Sequence, residues 1–232
     1  LWSFSKWIIV SNVSRFVTLR GDEFVVGGVA GTAQMGEYYL AADISHMSAN
    51  EIVPPINRAM VPSYAKIAHA RDELRQAFCK VLGVVAVISL SVSLGLAAVA
   101  SDFVRVVLGE QWLNSIPFFT WLALTAAING VTIVAVPYLQ VNRKERVFAL
   151  SSFIYALIFI PCLLGLMIEY ENIEWVAMAR SALVFCFASW IFTYLVIFTP
   201  VSVGDIAAVL WRPVLSGAAM FFTVRFLHDP SI

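Results

Sequence analysis

The sequence predicts an all-α fold, a polytopic membrane helix bundle of about seven transmembrane helices. Three observations carry that expectation. Of the 232 residues, 60% are hydrophobic and 13% charged, whereas soluble domains are about 45–50% apolar and about 25% charged. Several stretches free of Asp, Glu, Lys and Arg are as long as the hydrocarbon core is thick. The basic residues cluster on one side of the alternating spans. A soluble domain of this length still exposes much of its area and cannot absorb so much apolar surface. Composition therefore argues against a soluble enzyme, a nucleic-acid binder and a disordered chain. The 15 basic and 15 acidic residues balance to zero net charge, so bulk charge names no partner.

A spanning helix needs about 20 mostly apolar residues. The charge-free stretches 81–101, 111–142, 147–168 and 181–204 each meet that length. They place spans at about 78–101, 113–140, 147–168 and 175–198. A further span at about 206–226 is interrupted by Arg212 and Pro213, but an arginine near a helix end can snorkel to the interface.

The first sixty residues carry more charge. The stretch 4–31 contains Arg15, Arg20, Asp22 and Glu23, and the stretch 38–60 contains Asp43, His46, Glu51 and Arg58. Ser11, Arg15, Thr18 and Asp22 nevertheless fall on one face of a helix, with apolar residues around the rest. Asp43, His46, Asn50 and Asn57 form a similar stripe, broken by Pro54-Pro55. Helices with a single polar stripe suit the wall of an aqueous cavity, and both segments are expected to span.

If the N-terminus is cytoplasmic, Lys6, Arg58, Lys66, Arg71, Arg75, Lys80, Arg143, Lys144, Arg146 and Arg212 lie inside. Arg105 and Arg225 lie outside. That asymmetry fits the positive-inside rule and a multi-pass protein of the cytoplasmic membrane. It survives if the first two segments both span or if neither does. Tyr38, Tyr39, Trp112 and Trp175 fall at expected outer borders, and Trp7 and Trp211 near inner ones. Gly27 and Gly31 form a Gly-x-x-x-Gly pair that would let helices approach closely. The segment 58–80 is expected to be a charged amphipathic link along the inner membrane face.

No nucleotide, cofactor, metal or catalytic signature occurs, and neither a cofactor nor a metal is expected. Cys79, Cys162 and Cys186 sit in apolar runs and read as buried thiols. His46 lies one turn from Asp43, which makes a proton relay conceivable beside the simpler reading of a polar residue in a wet cavity. A charge in hydrocarbon costs at least about 2.5–3.5 kcal/mol. Arg15, Arg20, Asp22, Glu23, Asp43 and Glu51 must therefore be paired, hydrated or engaged with cargo. Arg20 and Glu23 are spaced for a direct pair. Arg180, about one turn inside Trp175, is expected to snorkel outward.

Three sequence elements resemble a family. They are Arg20-Gly-Asp22 followed by Gly27, Gly31 and Met35-Gly36-Glu-Tyr38-x-x-Ala41; Val53-Pro-Pro-Ile-x-x-Ala59-x-x-Pro62-x-Tyr-Ala65; and Val107-Leu-Gly109-Glu-Gln-Trp112. Together they are similar to the Wzx-like polysaccharide or O-antigen flippases of the multidrug/oligosaccharidyl-lipid/polysaccharide (MOP) exporter superfamily. The resemblance runs from about Ser3 to Arg146. It implies a two-lobed transporter in which residues 1–200 form the C-terminal six-helix lobe and 201–232 an additional helix and a truncated end. The N-terminal lobe would then belong to the same, longer polypeptide.

The implied function is flipping of a polyprenyl-diphosphate-linked oligosaccharide across the cytoplasmic membrane for surface-polysaccharide synthesis. The implied partners are that lipid-linked oligosaccharide, membrane lipids and other polysaccharide-assembly proteins, with no nucleic acid. Guanidinium groups bind a diphosphate bidentately, so Arg15, Arg20 and Arg58 are the cargo-binding candidates. Asp22, Glu23, Asp43 and Glu51 are the ion-coupling candidates. Two alternatives stand: a membrane polysaccharide polymerase or transferase, disfavoured by short outer loops, and a cation antiporter of the same fold, which would want an acid-lined pocket. A non-transporting scaffold in a biosynthetic complex is a further reading.

Overall fold

The computed structural model describes the backbone of residues 2–47, 51–170 and 172–228, and the side chains of 7, 9–47, 51–170 and 172–227. Asn50 of the second stripe, Glu171, the Lys6 side chain and the end 229–232 lie outside the described residues.

All regular structure among the described residues is helical. The order is α1 (Trp2–Val29), α2 (Thr32–Met47), α3 (Val53–Lys66), α4 (Arg71–Ala98), α5 (Ala100–Phe103), α6 (Ile116–Ile133), α7 (Ala135–Val141), α8 (Glu145–Tyr170), α9 (Ile173–Phe198) and α10 (Val203–His228). A π turn, Val104–Leu108, and a 3-10 turn, Glu110–Ser115, join α5 to α6. Among the described residues, five segments are long and apolar enough to cross a membrane: Arg71–Ala98, Glu110–Val141, Glu145–Tyr170, Ile173–Phe198 and Val203–Leu227. The protein is an all-α polytopic membrane bundle. Helix α1 has 28 residues, about 42 Å at 1.5 Å per residue, but its charges keep it out of that apolar set.

Prolines set the breaks. The expected 38–60 helix is divided: α2 ends at Met47 and α3 starts at Val53, with proline in its first turn. Proline suits that position because the first amides of a helix have no intrahelical acceptor. The segment 58–80 is helical for most of its length, the end of α3, a short turn and the start of α4, and most of its side chains are exposed. Pro137 explains the division between α6 and α7 at Val134. Its ring cannot donate to the carbonyl four residues back, which is that of Ile133. The Asn57 side-chain amide of α3 donates to that carbonyl at 3.0 Å. Gly31 has φ +91° and forms the turn between α1 and α2. The Gly27/Gly31 pair therefore divides: Gly31 is a turn residue, because positive φ is cheap only for glycine, while Gly27 lets Met35 of α2 pack closely on α1, where an added Cβ would meet its sulfur at 2.5 Å.

Helix α6 lies at the centre, packed on α2, α4 and α9, while α8 bridges α9 to α1 and α1 returns to α2. Helix α10 covers the outside of α4. Two apolar clusters result. One joins Val25, Tyr38, Phe119, Leu122, Phe159 and Val176; the other joins Tyr64, Phe78, Leu82, Tyr138, Ile191 and Leu195. Phe153, Ile154, Leu157 and Ile158 on α8 and Leu215, Phe222 and Phe226 on α10 face outward, as a lipid solvent requires.

Candidate functional site

Between α1, α3, α6, α7, α8 and α9 lies a cavity of about 470 Å³. Its wall is polar on several helices. Ser11, Asn12, Arg15 and Thr18 come from α1, His46 from α2, Asn57 and Arg58 from α3, and Asn129 and Thr132 from α6. Gln140 from α7 and Glu145, Ser152 and Tyr155 from α8 add to it, and Leu19, Pro54, Val61, Ile133, Val136, Pro137, Phe148, Val184 and Phe187 form the apolar remainder of the wall. The sided spacing of Ser11, Arg15 and Thr18 therefore serves the purpose expected of it.

Several of these groups already have partners. The Ser11 hydroxyl donates to the Trp7 carbonyl at 2.6 Å and Thr132 to Ile128 at 2.7 Å. Such back-bonding hides a hydroxyl within its own helix. The charged groups behave differently. Arg15 and Arg58 are both exposed, and neither makes an ion pair among the described residues. Glu145 Oε2 is buried without a hydrogen-bond partner, as are both ring nitrogens of His46 and the Tyr155 hydroxyl.

The lining stops one helical turn short of a buried ionic knot. Asp22, four residues beyond Thr18, is 0% exposed, and Arg180, four residues before Val184, is 1% exposed. Arg180 Nη1 pairs with Asp22 Oδ2, and the Tyr38 hydroxyl donates to the same oxygen at 2.6 Å. Beside it, the Thr125 and Ser181 hydroxyls lie 2.8 Å apart. Helices α1, α2, α6 and α9 are thus tied together at this end. At the other end the wall carries Arg58, Gln140 and Glu145, next to the basic residues Arg143, Lys144 and Arg146.

The predicted site residues separate accordingly. Arg15 and Arg58 share the cavity. Arg20 does not line it; its guanidinium pairs with Glu23 at 2.9 Å, as the spacing predicts, and lies 5.3 Å from the Tyr39 ring centroid. Asp22 is in the knot. Asp43 and Glu51 are exposed and outside the cavity wall, and Asp43 makes no hydrogen bond to His46. Two expectations are corrected. Arg180 does not snorkel outward, because a fully buried carboxylate on α1 gives it a closer counter-charge than the interface. Tyr38 is not a border residue, because its hydroxyl completes the same knot. Sequence reading missed Asn57 as a backbone partner, Asn129, Gln140, Glu145 and Tyr155. Glu145 stands between Lys144 and Arg146, where nothing in the sequence marks it; the packing of α8 on α1 brings it to the cavity wall.

Fold and site define a polytopic helical membrane protein built around a polar, arginine-bearing cavity. The chain belongs to the polysaccharide biosynthesis protein family, whose model matches residues 1–117. It is 28% identical over 182 residues to an uncharacterised membrane protein of the cps region of Klebsiella pneumoniae, covering 78% of this chain and 36% of that protein. It is 27% identical over 161 residues to the lipopolysaccharide biosynthesis protein WzxC of Escherichia coli (strain K12), covering 67% and 33%. It is 24% identical over 205 residues to the teichuronic acid biosynthesis protein TuaB of Bacillus subtilis (strain 168), covering 84% and 41%. The chain thus spans about a third to two-fifths of the length of these relatives. No solved structure matches.

Proposed function

We propose that this chain forms the C-terminal lobe of a two-lobed transporter of the cytoplasmic membrane, with α1 and the α2–α3 segment crossing as well. That transporter flips a polyprenyl-diphosphate-linked oligosaccharide toward the outer leaflet. One observation carries the reading: Arg15 and Arg58, on separate helices, line one cavity and neither is paired with an acid among the described residues. An exposed, unpaired guanidinium on the cavity wall is free to take an anion, and a diphosphate suits its forked donors.

The neutral amides and hydroxyls of the wall suit sugar hydroxyls, which must be kept hydrated or hydrogen-bonded across a low-dielectric layer. The basic end of the cavity is the cytoplasmic end in this reading, so the knot seals the opposite side. Movement of the lobe against its counterpart would expose the cavity alternately. A cation antiporter fits less well, because the wall holds one acid and two unpaired arginines. The relatives' names connect them with lipopolysaccharide and teichuronic acid biosynthesis, which supports a glycan cargo.

The test replaces Arg15 and Arg58 singly and together with Ala in the gene as the native host carries it. Membrane levels are measured alongside the lipid-linked glycan reaching the outer leaflet. Loss of export at normal protein abundance is expected, largest in the double variant. Unchanged export in the double variant would sink the diphosphate role of the cavity.

A further inference from the structure

We propose that His46 and Tyr155 form a carbohydrate-reading site at the sealed end of the cavity, distinct in chemistry from the arginines that take the diphosphate. The inference rests on the reading above and deepens it, because it assigns the sugar of the cargo to named side chains. His46 is 4% exposed and lines the cavity, and neither of its ring nitrogens has a hydrogen-bond partner among the described residues. The Tyr155 hydroxyl is likewise buried without a partner, and Tyr155 lines the same cavity. A buried polar group left unpaired costs its full desolvation penalty. Two such groups, from α2 and α8, reach one enclosure.

Both groups belong to the end that the knot seals. His46 follows Tyr38 by about two turns along α2, and Tyr155 packs against the apolar cluster that holds Tyr38 and Phe159. The donor pattern selects the ligand. At neutral pH an imidazole with no carboxylate partner is mostly uncharged. It then presents one donor and one acceptor, and a phenol hydroxyl also does both. An anion brings only acceptors and a metal ion takes only lone pairs, so each leaves part of the pair unmet. Neighbouring hydroxyls of a sugar ring donate and accept at once. The Tyr155 and Phe187 rings, with centroids 4.8 Å apart, add apolar surface to the same wall, which suits the C–H face of a pyranose. The glycan therefore points toward the knot, and the diphosphate stays with Arg15 and Arg58.

The experiment uses the full polypeptide as the native gene encodes it, purified into lipid nanodiscs near neutral pH. Two probes are titrated separately. One is the lipid-free, phosphate-free oligosaccharide released by mild acid from the host's polyprenyl-linked glycan; the other is methylenediphosphonate. Wild type is expected to bind both. Tyr155→Phe removes a single oxygen and should bind the oligosaccharide about two- to tenfold more weakly, the net worth of one hydrogen bond. His46→Leu should lose about as much, and His46→Gln, which keeps a donor and an acceptor, should recover part of it. The Arg15→Ala/Arg58→Ala double variant should lose the diphosphonate and keep the oligosaccharide.

Diphosphonate binding at the wild-type level shows that a variant is folded, so its loss of oligosaccharide belongs to the site; the near-isosteric Tyr155→Phe carries the test where His46→Leu fails to fold. Wild type that takes the diphosphonate but no oligosaccharide overturns the inference and leaves the cationic cavity standing. So does a folded Tyr155→Phe or His46→Leu protein that binds the oligosaccharide as wild type does. Oligosaccharide bound without diphosphonate, and weakened in Tyr155→Phe, removes the diphosphate role of the arginines and leaves the sugar site standing. If wild type takes neither probe, both proposals fall.

Discussion

The guanidinium of Arg180 on α9 and the hydroxyl of Tyr38 on α2 meet on one carboxylate oxygen, Oδ2 of Asp22 on α1. The consecutive helices α1 and α2 and the sequence-distant α9 are fixed at a single atom, and both ions are buried. Removing one member of a buried pair leaves the other charge unpaired, at a cost of about 3–5 kcal/mol. Arg180→Ala and Asp22→Ala are each expected to lower the stability of the detergent-solubilised protein by that order. Tyr38→Phe should cost about 1–3 kcal/mol, because it removes one hydrogen bond to a charged acceptor. The double variant Asp22→Asn/Arg180→Met should be less destabilised than the two single alanine variants summed. Denaturant or thermal unfolding of the four variants checks this, and additive losses would mean that the two side chains do not act as a pair.

The spanning helices and part of the cavity were legible in the sequence for a simple reason. Lipid as solvent leaves a strong mark, so most of the apolar runs at 81–101, 147–168 and 181–204 falls within α4, α8 and α9, although α4 and α9 begin well before the runs do. The i, i+4, i+7 spacing of Ser11, Arg15 and Thr18 put three cavity residues on one face of α1, and the i, i+3 rule found Arg20 with Glu23. The Asp22–Arg180 pair lies 158 residues apart, so local periodicity could not find it. A linear reading sends Arg180 to the nearest water, because it cannot see a buried partner. The division at Met47 and Val53 was half visible in Pro54-Pro55. That α3 would then turn Asn57 and Arg58 onto the cavity depends on how α3 packs on α7, which has no signature in sequence.

The junction of α9 and α10 offers a second, weaker tie. Ser202 and Asp205 form a reciprocal cap at the start of α10. Asp205 Oδ2 accepts from the Ser202 amide and hydroxyl, each at 2.9 Å, and the Asp205 amide donates to Ser202 Oγ at 3.1 Å. Arg75 Nη1 on α4 reaches both Asp205 oxygens at 2.9 Å. The two side chains are 30% and 25% exposed, so water and salt screen the pair. Arg75→Ala should therefore lower stability only slightly, and not at all at high salt. Asp205→Ala also removes the cap and should cost about 1–2 kcal/mol. Unfolding at low and high salt separates them. Equal losses for the two variants at high salt would show that the cap contributes nothing.

The hydrogen bond from Asn57 to the Ile133 carbonyl makes a prediction in which proline is the cause and asparagine the remedy. Pro137 removes the amide that would have closed the α6–α7 helix onto Ile133, and Asn57 supplies the missing donor at 3.0 Å. Asn57→Ala should leave a carbonyl in a half-buried cavity wall without its donor, at a cost of about 1–3 kcal/mol. Pro137→Ala restores a backbone amide at that position. In the Pro137→Ala background, Asn57→Ala should cost less than half as much as in wild type, because the carbonyl can then be met from within its own helix. A double-mutant cycle measured by unfolding in detergent gives that coupling directly. If the two losses add, the Asn57 contact is incidental to the proline break. If they couple as expected, the bend between α6 and α7, which brings Asn129, Thr132 and Gln140 to the cavity wall, is held open by a side chain of α3.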